Sequence, residues 1–372
     1  MRDVLAERLL AEVMQWSAED VATERPRLEA LAAFKYDEYQ QFVPGMKFIE
    51  SLALWLAQFE ELEERRAMYG FIKNRLVFVS AAEMSHFVSI AYPDYICPRL
   101  INESTKLLHL PEWAVAKVRG SVEFRILLRR SLFLGLSDGA HIDLFRRNNL
   151  EISHEQILQT YEITADKAVE LSLELTKDLR AIGGNSFEAE GSKFSAIFLL
   201  DDFSGSGLSY LRTDKVTGKP AGKIHKVFSK LVGNDSLSSI LDLAQLRIFI
   251  VLYVATERAV RHLRSSTLEW LSSNGLKNCC DVLSVQTIPN FSTDDNCEQN
   301  IIPLLQKYFD KSVVDDHYSK GDTKRAHMGF DGCALSLVLH HNTPNNSFPV
   351  LWFEEGMRRY RGLFPRVSRH RN

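Results

Sequence analysis

One stretch of the sequence, residues 195–209, restricts the fold more than any other. Within it, an apolar run at residues 197–200 (Ile-Phe-Leu-Leu) is followed by Asp201 and Asp202, and then by small residues at 204–207 (Ser-Gly-Ser-Gly). A continuous apolar run predicts a strand that is buried on both faces, as in parallel sheets covered by helices. The two carboxylates then stand at the carboxyl end of the strand, which is the edge where open α/β sheets bind ligands.

The small residues that follow the carboxylates predict an anion-binding loop. Without bulky side chains the backbone can approach an anion closely and direct several N–H groups at it, and Ser206 and Ser209 add hydroxyl donors. Asp201 and Asp202 would repel a phosphate, but they suit ribose hydroxyls or a magnesium ion with its waters. The segment therefore predicts a sugar-phosphate site. The alternative is a solvated turn after a strand, which also explains an isolated Asp-Asp pair.

Length and charge limit the remaining classes of protein. The 372 residues suffice for one large domain with an appendage. The net charge of -3 is nearly balanced, so the overall charge does not predict nucleic-acid binding. No apolar run approaches the ~18 residues of a membrane helix, and the N-terminus mixes acidic and basic residues, unlike a signal peptide. Five cysteines without Cys-x-x-Cys spacing predict reduced thiols. We therefore expect a cytoplasmic protein that does not engage a membrane.

The first region of the chain, residues 1–105, is predicted to be a mostly helical domain because apolar residues recur at helical spacing. It contains one short strand prediction at 76–79, followed by a capping box between Ser80 and Glu83. Pro93 and Pro98 interrupt the helical pattern, which predicts a boundary near residues 93–110.

The second region, residues 106–355, alternates strands and helices. We predict strands at residues 131–136, 197–200, 247–254, 281–285 and 334–339. This alternation is typical of an α/β domain whose parallel sheet is flanked by helices. Ser153 and Gln156 predict the start of a helix, and the polar residues 213–235 predict an excursion or mobile flap. Residues 356–372 form a basic tail with six arginines, which is either a solvated charged run or a partner-binding segment.

The strand and loop at residues 197–209 resemble the signature of the type I phosphoribosyltransferases. The resemblance implies a sheet of phosphoribosyltransferase type, with Asp201 and Asp202 as catalytic residues that hold the ribose 2- and 3-hydroxyls of phosphoribosyl pyrophosphate. The same carboxylates would hold Mg²⁺ through water or ribose. The residues implied for the 5-phosphate are Gly205, Ser206, Gly207, Leu208 and Ser209.

Two departures from that signature affect the prediction. Ser204 replaces a residue that is usually apolar, and Gly205 stands where purine-salvage members carry an acid that assists proton transfer. The second departure removes a purine-type acid–base role. It does not exclude catalysis, because other members also lack that acid.

A second loop, at residues 134–140 (Leu-Gly-Leu-Ser-Asp-Gly-Ala), lies about sixty residues upstream of the signature. In the family, a loop after the first core strand contacts pyrophosphate, which implies that role for Ser137, Asp138 and Gly139. Ser-Asp-Gly is also an ordinary turn sequence, so this alternative stays open. Arg146 and Arg147 could neutralise phosphates or simply lie on the surface.

A third feature, residues 340–352, leaves the last predicted strand with many short hydrogen-bonding side chains and ends on an aromatic residue. Such a segment could read the edge of a base and stack on it. The base-side candidates are Asn342, Asn345, Asn346 and Trp352. The alternative is an elaborate turn that uses Asn and Pro for its backbone angles.

Taken together, the three motifs are similar to phosphoribosyltransferase-like proteins of bacterial conflict, or anti-phage, systems, some of which are encoded beside retron reverse transcriptases. This similarity implies a toxin effector that is restrained by partner proteins or by retron RNA or DNA. It rests on resemblance only, since composition and spacing carry no information about defence.

Two functional hypotheses follow from the site. The first is an enzyme that binds magnesium–phosphoribosyl pyrophosphate or a nucleotide and transfers or cleaves at ribose C1. The second is a non-catalytic nucleotide-binding regulator or partner-binding subunit on the same fold. The sequence does not name the base, the direction of reaction, the partner or the oligomeric state.

Overall fold

The computed structural model describes residues 3–184, 192–276, 279–289, 296–354 and 359–367. It divides into two compact units, which we describe separately. One unit comprises Met1–Met84 and Asn290–Asn372, and the other comprises Ser85–Pro289. The domain boundary predicted at residue 105 falls inside a helix of the second unit, Cys97–Leu108.

The helices, in chain order, are α1 (Asp3–Met14), α2 (Ala18–Phe34), α3 (Phe48–Leu56), α4 (Leu62–Arg75), α5 (Ala81–Ile90), α6 (Cys97–Leu108), α7 (Val115–Arg119), α8 (Val122–Arg129), α9 (Ile142–Asn148), α10 (Ala165–Gly183), α11 (Lys223–Val232), α12 (Ser236–Ser239), α13 (Glu257–Ser273), α14 (Asn296–Lys307) and α15 (Pro349–Trp352). The strands are β1 (Val77–Val79), β2 (Ser131–Gly135), β3 (Ile157–Leu158), β4 (Ala196–Ser204), β5 (Arg212–Thr213), β6 (Pro220–Ala221), β7 (Arg247–Thr256), β8 (Cys279–Ile288) and β9 (Leu337–Leu339). Among the described residues, no helix combines the length and the apolarity needed to cross a membrane.

The second unit is built on a five-stranded sheet with the order β3-β2-β4-β7-β8, in which all neighbouring strands are parallel. From β2 the chain first moves outward to β3 and then crosses to β4 on the other side of β2. The order of the strands therefore reverses between β2 and β4. Such a reversal opens a crevice at the carboxyl ends of the two strands, and this crevice is the usual ligand site of an open α/β sheet. The predicted α/β class is confirmed.

Helices cover both faces of this sheet because both faces are apolar. On one face the rings of Phe133, Phe198 and Phe249 stack in a row, with centroid distances of 5.0 and 4.6 Å. On the other face Ile197 and Leu199 belong to a buried cluster that includes residues of α10, α11 and α13. The uninterrupted apolar run of β4 thus reflects burial on both sides, as predicted.

The first unit contains a separate two-stranded parallel sheet. The strand predicted at 334–339 forms over Leu337–Leu339, but it pairs with β1 in the register Val77↔Leu337 and does not extend the five-stranded sheet. Around this pair, Phe364 packs against the rings of Tyr36, Phe48 and Phe78. An apolar run of this length specifies a strand but not its partner.

The predicted break at Pro93 and Pro98 is wrong. A π-helical turn, Ala91–Ile96, joins α5 to α6 without leaving the helical conformation. Pro93 lies within that wider turn, and Pro98 occupies the first turn of α6, where a helix tolerates a residue without an N–H donor.

One other local prediction, the helix start at Ser153, is corrected. The capping box of Ser153 and Gln156 forms, but it begins only the short 3₁₀ turn His154–Gln156. The amide of Gln156 also donates to the carbonyls of Leu128 and Ser131, both at 2.6 Å, and this fastens the turn to the sheet before β3 begins. The polar stretch 213–235 forms the antiparallel β5–β6 pair followed by α11.

The row of phenylalanines gives the first prediction. Phe198 is fully buried between two rings, so Phe198→Ala should lower the free energy of unfolding by about 3–5 kcal/mol, the range for a truncated core aromatic. Urea unfolding followed by circular dichroism measures this change. The same substitution at Phe34, which is 88% exposed, should change it by less than about 0.5 kcal/mol. Equal effects would contradict the assigned packing.

Candidate functional site

The two loops singled out in the sequence meet at the crevice between β2 and β4. The hydroxyl of Ser137, after β2, donates to Asp201 Oδ1 at 2.5 Å. Gly139 lies against the other carboxylate, since a Cβ added to Gly139 would stand 2.6 Å from Asp202 Oδ2. A bulkier residue at position 139 would therefore displace Asp202. The structure brings together the predicted pyrophosphate loop and both acidic residues.

Asp201 is completely buried, and three side-chain donors surround its carboxylate. Besides Ser137, the phenol of Tyr210 donates to Oδ2 at 2.8 Å and the ammonium of Lys223 donates to the same oxygen at 2.5 Å. Burial and the neighbouring charge of Asp202 raise the pKa of Asp201, and Lys223 opposes that rise. Burial and Asp201 also raise the pKa of Tyr210, which keeps its phenol protonated as a donor.

Asp202 has a different environment, because successive residues of a strand point to opposite faces of the sheet. Its side chain is half-buried, and its Oδ1 accepts the backbone N–H of Phe203 at 2.7 Å. Tyr253, in β7, is buried, and its phenol donates to the carbonyl of Ala140 at 2.7 Å. This bond ties the loop after β2 to β7. Of the two carboxylates, Asp202 is the one that an incoming ligand can reach.

The small-residue loop after β4 is shaped by close contacts with α13. Gly207 has φ +82°, and a Cβ there would stand 2.6 Å from His262 Cδ2, so only glycine fits. The hydroxyl of Thr256, the residue before α13, donates to the carbonyl of Gly205 at 2.6 Å. Beyond the loop, Arg212 donates to the carbonyl of Leu208 at 3.1 Å. These contacts hold the loop in a fixed turn at the strand end.

Within that loop, Gly205, Ser206 and Gly207 are buried, Leu208 is partly buried, and Ser209 is exposed. The Ser206 hydroxyl accepts the N–H of Leu208 at 3.3 Å. The predicted roles of these residues toward a 5-phosphate stay predictions. Asp138 begins the 3₁₀ turn Asp138–Ala140 beside Gly139.

The arginines of α9 have structural partners. Arg146 donates to the carbonyl of Ile157 at 2.8 Å and so fastens α9 to β3, while Arg147 is exposed. For Arg146, the structure therefore favours a role in packing.

The four base-side candidates belong to the other compact unit. Trp352 is buried there and donates its indole N–H to the carbonyl of Ser347 at 2.8 Å. Asn346 donates to the carbonyl of Phe330, Asn342 donates to that of Val367, and the carbonyl of Asn345 accepts the N–H of Phe330. Their proposed contact with a base stays a prediction.

The side chains of this crevice limit how magnesium could bind. Among the described residues, no group of three His, Cys, Asp or Glu side chains is arranged to hold a metal ion. The carboxylate of Asp201 already has the cationic Lys223 at its Oδ2, so Asp201 does not suit a direct metal bond. Asp202 suits a magnesium ion that is bound through water or through a ribose hydroxyl.

A parallel sheet with this strand order, and with an Asp-Asp strand end and a small-residue loop at its reversal point, defines a phosphoribosyltransferase-like α/β protein. The family comparison agrees. The PRTase-CE family model matches residues 52–366, and the chain belongs to this family. A search of curated proteins gave no match. A search of solved structures also gave none.

Sequence reasoning missed three residues of this crevice: Tyr210, Lys223 and Tyr253. Tyr210 directly follows the loop, and Lys223 follows Gly222, a helix-start glycine with φ +121°. A tyrosine directly after the loop and a lysine further along the chain were the available signals. Neither residue indicates a contact with Asp201 unless the fold of the intervening residues is known.

Gly222 gives the second prediction. A Cβ at Gly222 would stand 2.3 Å from the backbone oxygen of Tyr210, so Gly222→Ala should lower the free energy of unfolding by about 3 kcal/mol through overpacking and left-handed strain. Gly218 also has positive φ, at +65°, but nothing lies within 4 Å of its added Cβ. Gly218→Ala should therefore cost about 1 kcal/mol. Urea titration of both variants measures the difference, and equal costs would refute the close approach at Gly222.

Proposed function

We propose that this protein binds a phosphoribosyl ligand, either phosphoribosyl pyrophosphate or a nucleotide, in the crevice between β2 and β4. The observation that carries the proposal is the Ser137–Asp201 hydrogen bond, which joins the loop after β2 to the Asp-Asp strand end of a phosphoribosyltransferase-like sheet. In this arrangement Asp202 accepts hydrogen bonds from the ribose hydroxyls. The backbone and hydroxyls of residues 205–209 bind the 5-phosphate.

The proposed reaction is departure of pyrophosphate, or of a base, from C1 of the ribose. Positive charge develops on the sugar as the bond breaks, and the carboxylate of Asp202 orients the ribose and favours that charge. Backbone donors of the loop at residues 137–139 bind the leaving oxygens. Magnesium, when bound, would balance the negative charge of the phosphates. An acceptor nitrogen or water then forms the new bond to C1 and gives up a proton, to the departing base or to solvent.

A non-catalytic nucleotide-binding regulator is the second candidate. It is favoured by Gly205, which leaves the loop without the acid that purine-salvage members use. The two candidates share the binding site and differ only in turnover. Release of pyrophosphate or of free base from a bound ligand separates them.

We also propose that the protein acts as an effector in bacterial anti-phage defence, restrained by a partner protein or by retron nucleic acid. The support is the resemblance of the motifs at residues 134–140, 197–209 and 340–352 to proteins of such systems. Under this proposal, the toxic activity is the reaction at ribose C1 in the site that contains Asp202.

Ligand binding is the direct test of the proposed site. Titration calorimetry with phosphoribosyl pyrophosphate should show magnesium-dependent binding to the native protein. Asp202→Asn should weaken it about 10- to 100-fold, the range for a lost hydrogen bond to a charged group. Asp166→Asn, an identical change at an exposed residue of α10, should leave the affinity unaltered. Absence of binding by the native protein would refute the proposed function.

The effector role has its own test. Expression of the protein alone in bacteria should arrest growth, because the restraining partner is missing, and Asp202→Asn should relieve the arrest. Viable cell counts after induction measure the effect, with Asp166→Asn as the control and equal protein levels checked by immunoblot. Growth arrest of the same extent with Asp202→Asn would contradict an effector activity based at this site.

A further inference from the structure

We infer that Lys223 binds a phosphate group of the ligand, and that Asp201 is the buried anchor that holds Lys223 in place and does not itself contact the sugar. The inference rests on the proposed function, because it assigns two residues of the same site. It separates the roles of the adjacent carboxylates, Asp201 and Asp202.

Asp201 is not accessible to a ribose hydroxyl. None of its side chain is exposed, and its two oxygens accept hydrogen bonds from Ser137, Tyr210 and Lys223. A sugar would have to displace one of these donors to reach it. A buried carboxylate that lost such a donor would carry a large desolvation cost, so displacement is unfavourable.

Both the backbone and the ammonium of Lys223 are held close to the small-residue loop at residues 205–209. Its backbone N–H donates to the carbonyl of Ser209, the last residue of that loop, at 3.1 Å. Its ammonium donates to Asp201 Oδ2 at 2.5 Å and lies 5.0 Å from the centroid of the Tyr210 ring. Asp201, before the loop, and Tyr210, after it, thus fix the direction of the Lys223 side chain.

The ammonium of Lys223 retains donors for a ligand. Asp201 accepts one of the three N–H bonds of the ammonium, and 34% of the Lys223 side chain is exposed. The two adjacent aspartates would otherwise present only negative charge to a phosphorylated sugar. A fixed cation beside them offsets this repulsion and provides a charge-assisted hydrogen bond to a phosphate oxygen.

The test compares four variants with the native protein by calorimetric titration of phosphoribosyl pyrophosphate: Lys223→Met, Asp201→Asn, the double variant Asp201→Asn/Lys223→Met, and Lys226→Met. Lys226 is exposed one turn further along α11 and serves as the matched control. The double variant is needed because Lys223→Met alone leaves a buried, uncompensated carboxylate and is expected to fold poorly. Removing both charges restores neutrality in the buried cluster.

The double variant should fold and bind phosphoribosyl pyrophosphate about 10- to 100-fold more weakly than the native protein. Asp201→Asn keeps the Lys223 cation but weakens its anchor, so its affinity should fall less than that of the double variant, and Lys226→Met should match the native protein. Separate titrations with ribose 5-phosphate and with inorganic pyrophosphate identify which phosphate Lys223 contacts, since only that ligand should lose affinity in the double variant.

Two results would overturn the inference while leaving the proposed function intact. One is native affinity in the folded double variant. The other is a loss of binding in folded Asp201→Asn as large as that in the double variant, which would leave Lys223 with no contribution of its own. If the native protein binds neither phosphoribosyl pyrophosphate nor its two fragments, the proposed function fails and this inference fails with it.

Discussion

The site depends on the hydrogen bonds that the buried carboxylate of Asp201 accepts. This carboxylate accepts hydrogen bonds from Ser137 in the loop after β2, from Tyr210 after the small-residue loop, and from Lys223 at the start of α11. A charge buried this completely is tolerated only when donors surround it. Three segments of the chain are therefore held in one arrangement at the crevice of the sheet, where the adjacent Asp202 is half-buried.

Much of the sheet could be predicted from the sequence, because a strand that is buried on both faces is a continuous run of apolar residues. The apolar run at residues 197–200 and the run at 247–254 lie in β4 and β7, which pair in parallel with Ile197 opposite Ile248. Ser137 and Asp201 could also be placed near each other, since the carboxyl ends of neighbouring parallel strands meet at one edge. The strand ends were predicted less well, because β4 continues beyond the apolar run through Asp201 and Asp202 to Ser204.

The rest depends on contacts that local patterns do not contain. Lys223 reaches Asp201 only because of the path of the chain through β5, β6 and the tight turn at Gly222. Pro93 and Pro98 predicted a break in the helix. In the structure Pro93 lies within a π-helical turn, and Pro98 lies in the first turn of α6. The strand at 337–339 was found, yet its pairing with β1 follows from tertiary packing and not from its own residues.

The most direct measurement of the central claim is a crystal structure of the protein with ribose 5-phosphate. The predicted result places the 5-phosphate within hydrogen-bond distance of the backbone of residues 205–209 and the ribose hydroxyls on Asp202, with Asp201 still bound to Ser137 and Tyr210. A sugar phosphate bound away from this loop, or ribose hydroxyls bound to Asp201, would contradict the account.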